Sequence, residues 1–300
     1  MICKNGLRLR FCAKISSMNR LALGTAQFGM KYGIANTNGQ VTAMEAQEIL
    51  SIAKSNNIDT IDTAINYNES EGCLGNIGVR NFKMITKLPS LPLGISDPHE
   101  WIYQQIEASL KRLKIEKLYG LLLHSSEQFV NASIRLVLKD LKECDKVKKI
   151  GVSIYSPDEL DRIPIEEGID IVQAPLNLVD QRLVSSGWLQ ILHDNKIEIH
   201  TRSAFLQGLL VMPRTLIPDR FSKWDNIWDT WHDWLNSNDI SAVQGCLNFV
   251  LSLPEIDKVI VGVDTVSQLK KLIKESLSPI STNSVDIASN DNRLVNPCLW

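Results

Sequence analysis

The strongest constraint on the fold of this chain is a regular alternation. From Arg20 onward, short β-branched and apolar runs recur at 20–24, 58–63, 82–87, 117–123, 148–153, 169–174, 196–202 and 257–261, separated by longer stretches of helical period. Strand followed by helix, repeated, calls for a parallel sheet with helices on its outer face. Eight such units in 300 residues predict an α/β fold of the (β/α)8 TIM barrel type rather than an open doubly wound sheet. An open sheet built to bind a dinucleotide places Gly-x-Gly-x-x-Gly after its first strand, and Gly24-Thr25-Ala26-Gln27-Phe28-Gly29 lacks that spacing. Thr42-x-x-Glu45 predicts a capping box before a helix over 43–56, and Ser156-Pro157 predicts the N-cap and first residue of a helix over 157–162.

In a barrel of this kind the pocket is built from the loops at the C-terminal ends of the strands. Asp62 closes the second strand candidate, Tyr67 follows it in the loop, Lys87 closes the third and His124 follows the fourth. Taken singly, each has a structural explanation: a buried ion pair, a half-buried phenol, a satisfied core histidine. Together, at three consecutive strand ends, they favour a site, because buried charge is costly without partners. Their chemistry suits the reduction of a carbonyl. Hydride arriving at the carbon puts charge on the oxygen, which then needs a proton donor and fixed positive dipoles. Tyr67 is the candidate acid, Lys87 is expected to lower its pKa, Asp62 to hold Lys87, and neutral His124 to orient the oxygen.

The segment Leu23-Gly24-Thr25-Ala26-Gln27-Phe28-Gly29, then Asp62-Thr63-Ala64-x-x-Tyr67, Lys87, His124 and Gln173 in that order, resembles the aldo-keto reductases over about residues 19–277. The resemblance implies hydride transfer from a nicotinamide cofactor to an aldehyde or ketone, such as a sugar-like metabolite. It places Gly24 and Thr25 on the cofactor wall, and Ser153 and Gln173 at the nicotinamide carboxamide. Arg202, Ser203, Phe205, Leu206 and Gly208 fall in the loop expected around the pyrophosphate, where a helix start would favour an anion. Gly262, Val263, Asp264, Thr265 and Gln268 fall where the adenosine phosphate is expected. Two positions depart from the pattern. Most members carry an aromatic ring where this chain has Arg202, and many carry asparagine where it has Ile154. Asp264 is a third point of interest, since an acidic residue repels a 2′-phosphate and accepts bonds from ribose hydroxyls. NADPH is the family default and NADH the alternative. Phe28 and Trp300 are the candidate substrate-pocket walls.

Composition narrows the remaining classes. A formal net charge of −2 with dispersed lysine and arginine offers no stripe for nucleic acid. No apolar run reaches the roughly 18 to 20 residues of a membrane span. Six scattered cysteines without a Cys-x-x-Cys pair read as free thiols in a reducing, cytoplasmic setting. The expected partner is a small carbonyl compound, and the expected state a monomer or weak homo-oligomer. Residues 1–17 read as an N-terminal extension before an alternative start at Met18, residues 18–280 as the barrel and 281–300 as a tail whose apolar end docks. Trp224, Trp228 and Trp231 form one stripe at helical spacing, read as a face buried on the barrel, with a lid as the alternative. Two other functions fit less well. A regulatory nicotinamide-binding protein of reductase fold has no need of the intact tetrad, and a metal-dependent barrel hydrolase would want a ligand spacing that His99, His193, His200 and His232 lack.

Overall fold

A computed structural model describes residues 19–36, 38–95, 97–278, 280 and 285–300. The extension 1–17, Met18 and the start of the tail at 281–284 lie outside the described residues.

Eight parallel strands close on themselves in sequence order: β1 Leu21–Gly24, β2 Thr60–Asp62, β3 Lys83–Leu88, β4 Leu118–Leu123, β5 Val147–Ser153, β6 Ile171–Pro175, β7 Glu198–Arg202 and β8 Lys258–Gly262. β8 pairs with β1, so no sheet edge is left open. Register brings the chemical residues to one rim. Gly24 lies opposite both Asp62 and Gly262, Ser153 opposite Gln173, and Pro175 opposite Arg202. The strands are buried on both faces, which is why they read as nearly continuous apolar runs. Ile85, Leu122 and Ile171 fill the barrel interior. A Cβ added at Gly120 would come within 3.0 Å of Ile171 Cδ1, so that glycine makes room for the interior layer.

Local signals hold with two exceptions. Thr42 caps the helix Ala43–Ser55 by accepting from the Glu45 backbone N–H at 3.2 Å. The Glu45 carboxylate does not complete a box, because it reaches across to accept from the Val266 N–H at the start of another helix, at 2.6 Å. Residues Pro157–Arg162 form a 3-10 helix rather than an α-helix, opened by the Glu159 carboxylate accepting from the N–H groups of Tyr155 and Ser156.

A second apolar cluster lies beside the barrel. The helix Asp225–Asn238 buries Trp228 and Trp231 completely, and their indole N–H groups donate to the carbonyls of Phe221 and Leu210. Trp224 precedes the first turn and is half-buried. The tail completes this cluster with Val285, Ile287, Leu294 and Val295, tied down by the Ser289 N–H on the Val179 carbonyl. The tryptophan stripe therefore packs against the chain's own C-terminal segment as well as against loops of the barrel.

Candidate active site

The rim where the strands end opens into a cavity of about 390 Å³. At its inner end the backbone is pinned before any side chain acts. Thr25 donates both its N–H and its hydroxyl to the Asp62 carbonyl at 3.0 Å, and the Ser70 hydroxyl lies 2.9 Å from the Thr25 carbonyl oxygen and 3.1 Å from Thr63 Oγ1. Gly29 is required by its surroundings. A Cβ there would sit 1.8 Å from the carbonyl oxygen of Tyr67, so the Tyr67 loop can close on the barrel only over a glycine.

Asp62 and Lys87 form a buried pair, 4% and 1% exposed. Lys87 Nζ donates to Asp62 Oδ2 at 2.5 Å and to the Thr63 carbonyl at 2.9 Å. Gln173 Nε2 donates to the other carboxylate oxygen at 2.7 Å, and the Ser153 hydroxyl lies 3.4 Å from Gln173 Oε1. Four strand ends are thereby joined in one polar chain in which the buried carboxylate is satisfied on both oxygens. The ammonium sits 5.2 Å from the centre of the Tyr67 ring, and the His124 ring stands edge-on to that ring at 6.3 Å. The structure thus brings Asp62, Tyr67, Lys87 and His124 together; Asp62 and Tyr67 line the cavity, while Lys87 and His124 stand behind them and are not part of its lining.

The electrostatics differ from the sequence reading in one respect. Lys87 was expected to pull the Tyr67 phenol down, yet the phenol is pushed well above its ordinary range, first by burial and then by the charge of Asp62. The physical reason is burial of the phenol, to which the charges of Asp62 and Tyr32 add. The charge that pulls Tyr67 back is Arg202. Burial also lowers Lys87, with Asp62 opposing, and lowers His124 to about 4, helped by the charge of Lys87. His124 is therefore neutral near pH 7.

Most of the expected cofactor residues line the cavity. Gly24, Thr25, Gln173, Arg202, Ser203 and Phe205 line it, as do Gly208, Gly262, Val263, Asp264 and Gln268. Ser153 stands behind Gln173, while Leu206 and Thr265 are not part of the lining. Thr265 caps the helix Val266–Ser276 instead. No regular helix begins after β7. Ser203, Leu206, Gln207 and Gly208 all have positive φ, so the chain coils tightly there as a distorted 3-10 segment, Leu206–Val211. Phe28 is buried in the main core, and Trp300 packs edge-on against Phe221 at 4.9 Å with its indole N–H on the Leu294 carbonyl. Neither side chain lines the cavity, and apolar packing is the reason in both cases.

Spacing gave no hint of the strap that crosses the cavity. Gln207 Nε2 donates to the Tyr32 hydroxyl, the Ile34 N–H to the Gln207 carbonyl, and Asn36 Nδ2 to Asp264 Oδ1 at 3.0 Å. The β1 loop therefore bridges the loops after β7 and β8. Lys271 also lines the outer end, and among the described residues it makes no ion pair.

A cavity lined by Asp62 and Tyr67, by the ends of β1, β7 and β8 and by the unpaired Lys271 suits a dinucleotide. Glycines 24 and 262 lie in its wall, and a Cβ on Gly262 would meet the Gln27 amide at 2.4 Å, so Gln27 can pack there only over a glycine.

Comparison with known proteins gives the family and the fold. The model of the Aldo/keto reductase family matches residues 20–289. The oxidoreductase sirO of Leptosphaeria maculans is 24% identical over 216 residues, covering 68% of this chain and 65% of that protein. An NADH-specific methylglyoxal reductase of Escherichia coli is 26% identical over 218 residues, covering 65% and 66%. These matches span just under two thirds of the relatives' own length. In fold, the holo form of the aldo-keto reductase AKR11C1 from Bacillus halodurans superposes with a TM-score of 0.68 at 17% identity over 88% of this chain and 89% of that one.

Proposed function

Because the chain belongs to the aldo/keto reductase family, we propose that it reduces a small aldehyde or ketone with a nicotinamide cofactor, using Tyr67 as the acid. The observation that carries this reading is the buried Asp62–Lys87 pair set beneath the Tyr67 ring at the inner end of the cavity. When bound, the reduced cofactor supplies the hydride. The Tyr67 hydroxyl gives its proton to the carbonyl oxygen as that oxygen gains charge, and the adjacent ammonium limits the cost of the phenolate left behind. Asp62 holds the ammonium in place, and Gln173 and Thr63 fix the pair from either side. Neutral His124 offers an N–H to the same oxygen and so selects which face of the carbonyl meets the donor.

Both NADPH and NADH suit the outer end. Lys271 favours a 2′-phosphate, whereas Asp264 disfavours it and can bond ribose hydroxyls. One Asp264 oxygen already accepts from Asn36, which holds the carboxylate at the wall. A preference for NADH would match what the name of the Escherichia coli relative says of that protein.

The test is oxidation of each reduced cofactor by the purified chain across a panel of small aldehydes and ketones, including sugar-like ones. Steady turnover on some members is expected. Tight binding of both cofactors with no turnover on any member would overturn the enzymatic reading in favour of a regulatory nicotinamide-binding protein.

A further inference from the structure

Arg202 is the one charge at the inner end of the cavity that has no opposite charge beside it. Lys87 is neutralised by Asp62 at 2.5 Å. The Arg202 guanidinium donates instead to a neutral carbonyl, that of Ile154, at 2.9 Å, lies over the Tyr155 ring at 4.6 Å and approaches the Ser203 hydroxyl at 3.4 Å. No carboxylate among the described residues is within ion-pair distance of it. It is half-buried, fixed by its backbone place at the end of β7, and lines the same cavity end as Asp62, Tyr67 and Gln173. Ile154 is buried in the core, so its side chain offers the cavity no polar group while its carbonyl anchors Arg202.

The place of a hydride donor follows from the acid. Its reacting carbon must come within about 3 to 3.5 Å of the carbonyl that Tyr67 protonates, so its redox ring occupies the end of the cavity that Arg202 lines. A dihydronicotinamide ring is neutral, and the same ring after giving up hydride carries a positive charge. A fixed guanidinium nearby distinguishes the two forms. Resting on the cofactor reading above, we propose that Arg202 makes this chain bind reduced nicotinamide cofactor more tightly than oxidised, which speeds loss of the oxidised product. Tyr67, Lys87 and His124 each feel the same charge, which lowers all three. Two like charges several ångströms apart in a partly screened site differ from one charge and a neutral ring by about tenfold or more in affinity.

The experiment is to measure dissociation constants for reduced and oxidised cofactor, with and without the 2′-phosphate, by calorimetry or by quenching of protein fluorescence. The natural chain, Arg202→Leu and Arg202→Lys are compared. The natural chain should favour the reduced form by about tenfold or more. Arg202→Leu should bring the ratio close to one for both cofactors, and Arg202→Lys should keep most of it. Loss of a merely structural contact would weaken both forms alike and leave the ratio where it was, and that result overturns the proposal. Equal affinity of the natural chain for the two forms overturns it too. If the natural chain binds neither form, the cofactor reading itself fails and this inference fails with it.

Discussion

Each end of the barrel holds a lysine, a carboxylate and a half-buried tyrosine, and the two ends put them to different use. At the mouth there is one such pair, Asp62 with Lys87, almost sealed from solvent and surrounded by neutral partners, beside a cavity and a guanidinium without a counter-charge. At the base the charges form a network. Asp59 accepts from Lys258 at 2.6 Å and Lys83 at 2.8 Å, and one oxygen of Glu198 accepts from Lys149 and the Tyr119 hydroxyl while His200 Nε2 lies 3.4 Å from the other. Burial alone would raise these carboxylates, but the hydrogen bonds outweigh it and hold Asp59 and Glu198 at about 2. At the mouth burial wins instead, pushing Tyr67 up and His124 down to about 4. A network that satisfies its charges stabilises the closed barrel, whereas a lone pair that leaves neighbouring groups far from their ordinary proton affinity is suited to chemistry.

Apart from replacement of the acid itself, the largest effect that would sharpen this contrast is expected from Gly29→Ala. The added methyl collides with the Tyr67 carbonyl and shifts the acid, so turnover should fall about 10²-fold with the base network untouched. Near-normal turnover would mean that the position of the Tyr67 loop does not matter. Next comes removal of residues 294–300, which takes Leu294 and Val295 out of the second cluster and Trp300 off Phe221. Melting temperature should drop by roughly 10 °C while substrate preference holds. A changed preference with unchanged melting would restore Trp300 as a pocket wall.

Acid titration of stability should separate the two ends by pH. His124 has a folded pKa of about 4 against an ordinary 6.5, so protonation favours the unfolded chain and stability falls as pH drops from 6.5 to 4. The contribution of Asp59 and Glu198 is present above their ordinary values of 3.8 and 4.5 and is lost as pH falls from there towards 2. His124→Gln should remove the upper window and leave the lower, as followed by denaturant melts across pH. The smallest effect is at the outer end. Asp264→Ser should shift preference towards NADPH by a few-fold, more at low salt, since the carboxylate is only half-buried. An unmoved ratio of affinities would place the adenosine phosphate elsewhere.

Much of the mouth was legible in the sequence, because a strand end is marked by where its apolar run stops, and Asp62, Lys87 and His124 stand at those stops. Gln173, inside β6, and Arg202 and Asp264 at later strand ends were placed by the family resemblance. What escaped was set by partners distant in sequence. Asn36 meets Asp264, Glu45 meets Val266, and Ser70 joins Thr25 to Thr63, and none of these pairs is implied by spacing. The base network went unread for a related reason. Its members sit at strand starts among ordinary surface lysines and acids, and only barrel closure brings Lys258 to Asp59. Trp300 misled because a large apolar side chain at a terminus fits a pocket wall and a packing plug equally well, and the tryptophans of the helix Asp225–Asn238 supplied a cluster for it to plug.

The two half-buried tyrosines offer the most direct test. Tyr67 and Tyr119 both have phenols raised above their ordinary range, burial being the largest cause for each, and both have a lysine over the ring, Lys87 at 5.2 Å and Lys83 at 5.3 Å. Turnover with a reducible aldehyde, cofactor affinity and melting temperature should be measured side by side for Tyr67→Phe and Tyr119→Phe. Tyr67→Phe is expected to lose about 10² to 10⁴-fold in turnover with cofactor affinity and melting nearly unchanged. Tyr119→Phe, which strips a hydrogen bond from Glu198, is expected to melt lower and turn over normally. Substantial turnover by Tyr67→Phe, or its loss in a folded Tyr119→Phe, would contradict the assignment of chemistry to the mouth.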